Sequence, residues 1–348
     1  MTLPELPPAS LRLKIDQAAL AGNWRVLDQL SGAAQAGAAV KADGYGLGAA
    51  MVSQVLAAAG CSRFYVAHWQ EAAALLGQVD PAAIVVLHGP NTPDEAAFAK
   101  ASGVRPVINT QRQAALWSAA GGGICDVMVD TGINRIGLPL DALGDPAVAA
   151  LDIDVLHSHL ASAEEASPLN PVQVERWNAA RQTLQHRRAS LANSAGIMLG
   201  EAYHGDLTRP GLALYGGVPC AALAQHIRQV VTPQAALLQV RTVAAGEGVG
   251  YNATFVAPRP MRIGVVSLGY ADGFLRAWSG QGMLRSMGRP LPVIGRVSMD
   301  MTIVDLDAAP DLAEGDWLDV DYALPAAAAA TALSQYELLT LLGLRFAR

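Results

Sequence analysis

Short apolar runs recur along the first two thirds of the chain, separated by longer stretches in which apolar residues return with helical spacing. The clear runs are AAVK (38–41), FYVA (64–67), IVVL (84–87), RPVI (105–108), CDVMV (125–129) and DIDVLH (152–157); RASLAN (188–193) and AYHGDLT (202–208) are weaker. Strand and helix in alternation predict βαβ units and a parallel sheet. Eight such repeats suit an α/β fold closed into a (β/α)8 TIM barrel over residues 10–217, with its site where the strands end at their carboxyl side. An open doubly wound sheet is the alternative. The Ala-rich segments QAALAGNWRVLDQL, LGAAMVSQVLAAAG and WQEAAALLG read as outer helices without chemistry. From residue 218 the rhythm changes to alternating runs around Gly and Pro turns: QAALLQVRTV, RIGVVSLGY, PLPVIGRVSMDMTIVDL and DWLDVDY. These predict a mostly β second domain over residues 218–348, closed by a helical segment, SQYELLTLLG.

The composition agrees with two well-filled domains: 348 residues, 52% apolar and 16% charged. A net charge of −6 without a Lys/Arg-rich run argues against nucleic acid as a partner. The opening MTLPELPPASLRLKID lacks the regions of a signal peptide, and no apolar stretch reaches membrane-spanning length, so a soluble, cytoplasmic protein is expected. Cys61, Cys125 and Cys220 have no spacing that suggests a metal site or disulfide framework and are read as reduced. Lysine is scarce. Lys14, Lys41 and Lys100 are the only candidates for chemistry that needs a primary amine.

Lys41 closes the first clear strand and enters the glycine-punctuated turn AAVKADGYGLG. It reads either as a strand-end lysine reaching to solvent or as a desolvated free amine able to form a Schiff base at the barrel mouth. VDTGINRIG (129–137) follows the fifth strand and by itself is a capped turn. HSHL (157–160) puts two histidines on one face, which allows a metal pair or a satisfied buried histidine. No Cys, His or acidic cluster stands beside them at ligand spacing, so no metal is expected. ANSAG (192–196) and LTRPGLALYGG (207–217) follow the last two strands, where barrels often bind phosphate, with plain turns as the alternative.

Taken together these segments resemble the alanine racemases, pyridoxal-phosphate enzymes of fold type III, and the resemblance runs from SLRLKID to the terminal RFAR. It implies that Lys41 holds pyridoxal 5'-phosphate as a Schiff base and that Tyr45 contacts the phosphate, with Ser194, Gly211 and Leu212 and with Asn193 nearby. Arg135 would reach the cofactor's phenolic oxygen and the substrate carboxylate. Arg209 would meet the pyridine nitrogen and keep it unprotonated, weakening the ring as an electron sink and favouring return of the proton to Cα over transamination. Racemisation needs acid/base groups on opposite faces of Cα, and the resemblance implies Lys41 on one and Tyr251, in GEGVGYNATF, on the other. A free tyrosine titrates near 10, and a chain from Tyr251 through His159 to Arg209 would tune it. In SLGYADGFLR and GRVSMDM, Tyr270 would line the entrance and Met299 would offer its backbone N–H to the substrate carboxylate; Tyr336 would complete the phosphate contacts or the inner gate. Tyr251, Tyr270 and Met299 would enter from the partner subunit, which implies a homodimer with shared sites. The implied activity interconverts L- and D-alanine and supplies D-alanine for cell-wall peptidoglycan.

Three departures from the family pattern stand out. Leu47 replaces a common histidine, the chain ends in RFAR without a trailing tyrosine, and Met128 stands where many members carry a carbamylated lysine. The last removes an anion beside Arg135, for which a bound chloride or the carboxylate of Asp300 is the expected substitute. Competing readings are a broader amino acid racemase, a decarboxylase or aldolase of the same fold, and a non-catalytic cofactor-binding protein. Tyr251 and Met299 speak against the last.

Overall fold

A computed structural model describes residues 7–348. The chain divides into two compact units, one spanning Gln17–Arg228 and the other Gln229–Arg348 together with the N-terminal stretch ending at Asp16.

The first unit is a parallel barrel. Its sheet runs in the order Gln35–Ala36, Leu207–Arg209, Arg188–Asn193, Asp152–His157, Ile124–Met128, Arg105–Ile108, Ile84–Val86, Phe64–Val66 and Ala38–Ala39. The first and last of these nine pieces belong to one extended stretch, one half pairing with Leu207–Arg209 and the other with Phe64–Val66, so eight strands close on themselves. Gly37 sits between the halves because a Cβ there would collide with the Tyr65 ring. The outer helices carry their own start and stop signals. In Pro93–Ser102, for example, the Thr92 hydroxyl accepts from Glu95 N, proline takes the first turn, and Gly103 ends the helix in the left-handed region.

Inside the barrel, side chains stack in layers. Where the strands begin, Asp154 gathers Arg63 at 2.6 Å, Arg188 at 2.7 Å and Arg105 at 3.8 Å. Tyr65, Val85, Val107 and Met128 pack above as one buried cluster. The carboxyl end of the barrel is left for polar side chains.

The second unit is built on antiparallel strands. Strands Val231–Val243, Met261–Val266, Thr302–Asp305, Arg289–Ile294, Met283–Ser286 and Trp317–Val320 pair in that order, and the last returns to the first to close the circuit. Leu11–Ile15 adds to Val231–Val243 as a further antiparallel strand, so the chain's beginning belongs with this unit. Reading along the sequence placed it with the barrel, since register between residues so far apart leaves no local signal. Met283–Ser286, too short to show alternation, was also not foreseen.

Candidate active site

Lys41 leaves its strand into a turn that is left-handed over four consecutive residues, with φ of 52° at Ala42, 53° at Asp43, 63° at Gly44 and 54° at Tyr45. Only one is glycine, and the left-handed conformation costs Ala42 and Tyr45 roughly 1–2 kcal/mol each, less at Asp43. Such strain persists where surrounding bonds over-determine it. Asp43 Oδ1 accepts from Ala49 N at 2.8 Å, Gly44 N donates to Val40 O at 2.8 Å, and Glu71 Oε1 accepts from Ala42 N at 2.6 Å. The other Glu71 oxygen accepts from Ala67 N at 2.7 Å, so one carboxylate ties the turn to the next strand end. Burial, and then the positive charge of Arg135, lower the Lys41 pKa, with Glu71 opposing them. Lys41 is half-buried, and its surroundings disfavour the charged form of the amine.

Tyr45, buried by the same turn, stacks on Tyr215 at 4.5 Å between ring centroids, and the Tyr215 hydroxyl donates to Ala39 O at 2.8 Å. The Tyr45 hydroxyl lies against Gly211, where any Cβ would overlap it. Ser194 Oγ accepts from Gly211 N at 2.9 Å and Ala213 N at 3.3 Å, and Leu212 opens the short helical turn that follows. Asn193 Oδ1 accepts from Gly196 N at 2.8 Å, holding the adjacent turn closed. Four of the expected phosphate residues therefore meet in one place.

Arg209 is buried at the end of the eighth strand. It donates to His157 Nδ1 at 3.3 Å, to Ser190 Oγ, to Ser158 O and, at 3.2 Å, to Leu191 O. Four of five guanidinium N–H groups are thereby used, and among the described residues the Nε–H has no partner. His159 is pushed down to about 3 by burial and by the charges of Arg209, Arg135 and Lys41, so it is neutral and beside all three. Arg135 sits exposed in a loop pinned by Asp130 Oδ1, which accepts from Gly132 N at 2.8 Å, Ile133 N at 3.0 Å and Asn134 N at 3.2 Å. Both readings of VDTGINRIG are therefore compatible: a capped turn that presents an arginine.

In the antiparallel unit, three loops gather at one end. Gly250 packs against Arg296, and Tyr270 N and Ala271 N each donate at 3.0 Å to Ser298 O and Met299 O. Tyr251 and Met299 stand 66% and 53% exposed. Asp300 pairs with Arg345 at 2.7 Å, and the same guanidinium holds buried Asp272 at 2.6 Å. Tyr336 is half-buried in the helix Gln335–Thr340.

Residues 15–219 match the model for the N-terminal domain of alanine racemase, and residues 230–348 match that for its C-terminal domain. This chain belongs to the alanine racemase family. An alanine racemase of Acidiphilium cryptum is 40% identical, with 97% of each chain covered. The crystal structure of alanine racemase from Bartonella henselae, with covalently bound pyridoxal phosphate, superposes with a TM-score of 0.89 at 34% identity, covering 98% of this chain and 99% of that one. The biosynthetic alanine racemase of Pseudomonas aeruginosa gives 0.87 and 34% over the same shares.

Against the family pattern, two expectations change. Arg209 hydrogen-bonds His157, the last residue of the strand Asp152–His157, where His159 was the expected partner. Arg135 is not the buried guanidinium that Met128 was expected to leave stranded: it is exposed in this chain, and Met128 instead fills an apolar layer. Asp300 is engaged by Arg345 in its own unit.

Four participants went unnoticed in the sequence: Glu71, Asp126, Ser190 and Tyr215. For Glu71 a signal existed. Glu71 Oε2 accepts from His68 N at 3.2 Å, half of a capping box at the start of Trp69–Leu75, a helix whose sequence shows no other chemistry. Because Glu71 raises the Lys41 pKa, Glu71→Gln should keep an acceptor for the turn yet lower that pKa further, making the free amine available at lower pH. The pH at which cofactor-free protein captures pyridoxal phosphate at half-maximal rate should shift down. An unchanged or raised midpoint would contradict the placement of Glu71.

Proposed function

We propose that this protein interconverts L- and D-alanine using pyridoxal phosphate held by Lys41. The observation that carries the reading is a desolvated lysine on a strained turn at the mouth of a barrel whose adjacent strand presents Arg209. The residues fit the cofactor. The partnerless Arg209 Nε–H suits a neutral ring nitrogen, and the close approach of Tyr45 to Gly211 beside Ser194 suits a phosphate cradle completed by Leu212, with Asn193 as a further candidate.

When bound, pyridoxal phosphate supplies a conjugated ring that accepts electron density from Cα as its proton leaves. Lys41 removes or returns that proton on one face. Tyr251 does so on the other, with neutral His159 as its support. Arg135 and the Met299 N–H hold the substrate carboxylate and so fix which Cα bond is presented to the bases. Arg209, which cannot surrender its proton, keeps the ring a modest electron sink, so proton return outcompetes side reactions. Tyr251 and Met299 are exposed on loops of the antiparallel unit and so are available to complete, with Tyr270, the partner's site in a homodimer.

Borohydride reduction of the holoprotein followed by peptide mapping tests the cofactor assignment: the pyridoxyl group should be on Lys41, and its appearance on Lys14 or Lys100 would overturn it. A panel of L-amino acids run alongside separates an alanine racemase from a broader one. We place the activity in the cytoplasm, supplying D-alanine to peptidoglycan; no helix among the described residues is long and apolar enough to cross a membrane.

We also propose that association buries the Arg135 guanidinium, which is exposed in the single chain, and that a chloride or similar small anion then accompanies it, as Met128 cannot carry a carbamate. Activity should then be insensitive to bicarbonate and should fall when chloride is exchanged for a bulky anion at constant ionic strength. Unchanged kinetics after thorough chloride removal would contradict it.

A further inference from the structure

We propose that Asp126 and His157 form a buried relay that positions Arg209, with His157 fixed as the neutral tautomer carrying its proton on Nε2. The functional consequence rests on the reading above, in which Arg209 faces the cofactor ring; the relay itself is a matter of hydrogen-bond geometry.

All four acceptors of Arg209 are uncharged: a histidine nitrogen, a hydroxyl and two carbonyls. A buried guanidinium so placed lacks a countercharge. It is supplied at one remove. Arg209 can only donate, so His157 Nδ1 must offer its lone pair, and the ring proton then resides on Nε2. That nitrogen faces Asp126 Oδ2 at 3.0 Å. The second Asp126 oxygen accepts from Val155 N at 3.2 Å, which fixes the carboxylate in the barrel wall. Asp126 and His157 are both wholly buried, and the Tyr65 ring stands edge-on to the imidazole with centroids 5.7 Å apart. The imidazole is thus clamped at both nitrogens and flanked on one side. Burial lowers the His157 pKa, in keeping with a neutral ring.

The carboxylate therefore orients the imidazole, and the imidazole orients the guanidinium so that its Nε–H is the group left for the pocket. Without Asp126, His157 is free to change tautomer and present an N–H to Arg209, which would repel the guanidinium and tilt it. Asp126 and His157 act through Arg209 and are positioning residues.

The direct test is the long-range 15N spectrum of holoprotein labelled at histidine, with the His157 signals assigned by their loss in His157→Asn. The wild type should show the Nε2–H pattern, and Asp126→Asn should shift the population toward Nδ1–H. A wild-type His157 protonated on Nδ1, or on both nitrogens, would overturn the relay whatever the activity. In folded variants with full cofactor content, Asp126→Asn and His157→Asn should lower kcat roughly 10- to 100-fold with KM little changed, as expected when a reacting group is misplaced. Unchanged kcat in such variants would also overturn the proposal, and if they fail to fold, the wild-type tautomer decides. A wild type showing the Nε2–H tautomer but no racemisation would support the relay and contradict the functional reading.

Discussion

Lys41→Ala should abolish racemisation, by at least roughly 10,000-fold, because it removes both the amine that anchors the cofactor and one of the two bases. No other lysine is placed to substitute. Lys100 lies on an outer helix, donating to Gly122 O at 2.6 Å, and Lys14 belongs to a strand of the antiparallel unit. The variant should retain its fold, since Lys41 makes no hydrogen bond on which the turn depends: that turn is held through Asp43, Glu71 and the backbone. Its absorption spectrum with added pyridoxal phosphate should lack the band of a lysine-linked cofactor. A lysine-linked cofactor in Lys41→Ala would place the chemistry elsewhere.

Tyr251→Phe separates the two faces of Cα. The substitution deletes one hydroxyl from a side chain that is largely exposed in this chain, so stability should hardly change. Proton removal from L-alanine should fall by roughly a hundred- to ten-thousand-fold, the usual worth of a positioned base, while D-alanine continues to exchange its Cα proton through Lys41. Deuterium incorporation into each enantiomer, read separately by mass spectrometry, makes the comparison. Equal loss or equal survival on both sides would contradict two bases on opposite faces.

The barrel was legible because each strand is a local apolar run and each intervening helix has its own period. The count of eight strands and the position of Lys41 at a strand's carboxyl end both follow from the sequence. The partition of the N-terminus was not legible, since Leu11–Ile15 pairs with Val231–Val243 across more than two hundred residues. Site residues carried by short segments such as VKADGYG and LTRPGLALYGG could be nominated; those supplied by neighbouring strands could not. Asp126, in the middle of an apolar run, looks like an error in a buried strand until His157, 31 residues later, is seen opposite it at hydrogen-bond distance. His157 itself was visible but could not be separated from His159, because alternation puts both on one face and only the third partner, Arg209, chooses between them. The left-handed run after Lys41 was hidden for a related reason: Ala42, Asp43 and Tyr45 do not favour it, and the carboxylate that helps hold it comes from Glu71.

The decisive measurement is the circular dichroism of alanine itself, started separately from the L and D enantiomers with the purified protein and pyridoxal phosphate. Both signals should decay to zero at the same equimolar mixture, with total alanine conserved. Signals that do not move, or that vanish as alanine is consumed to pyruvate or an amine, would contradict the account.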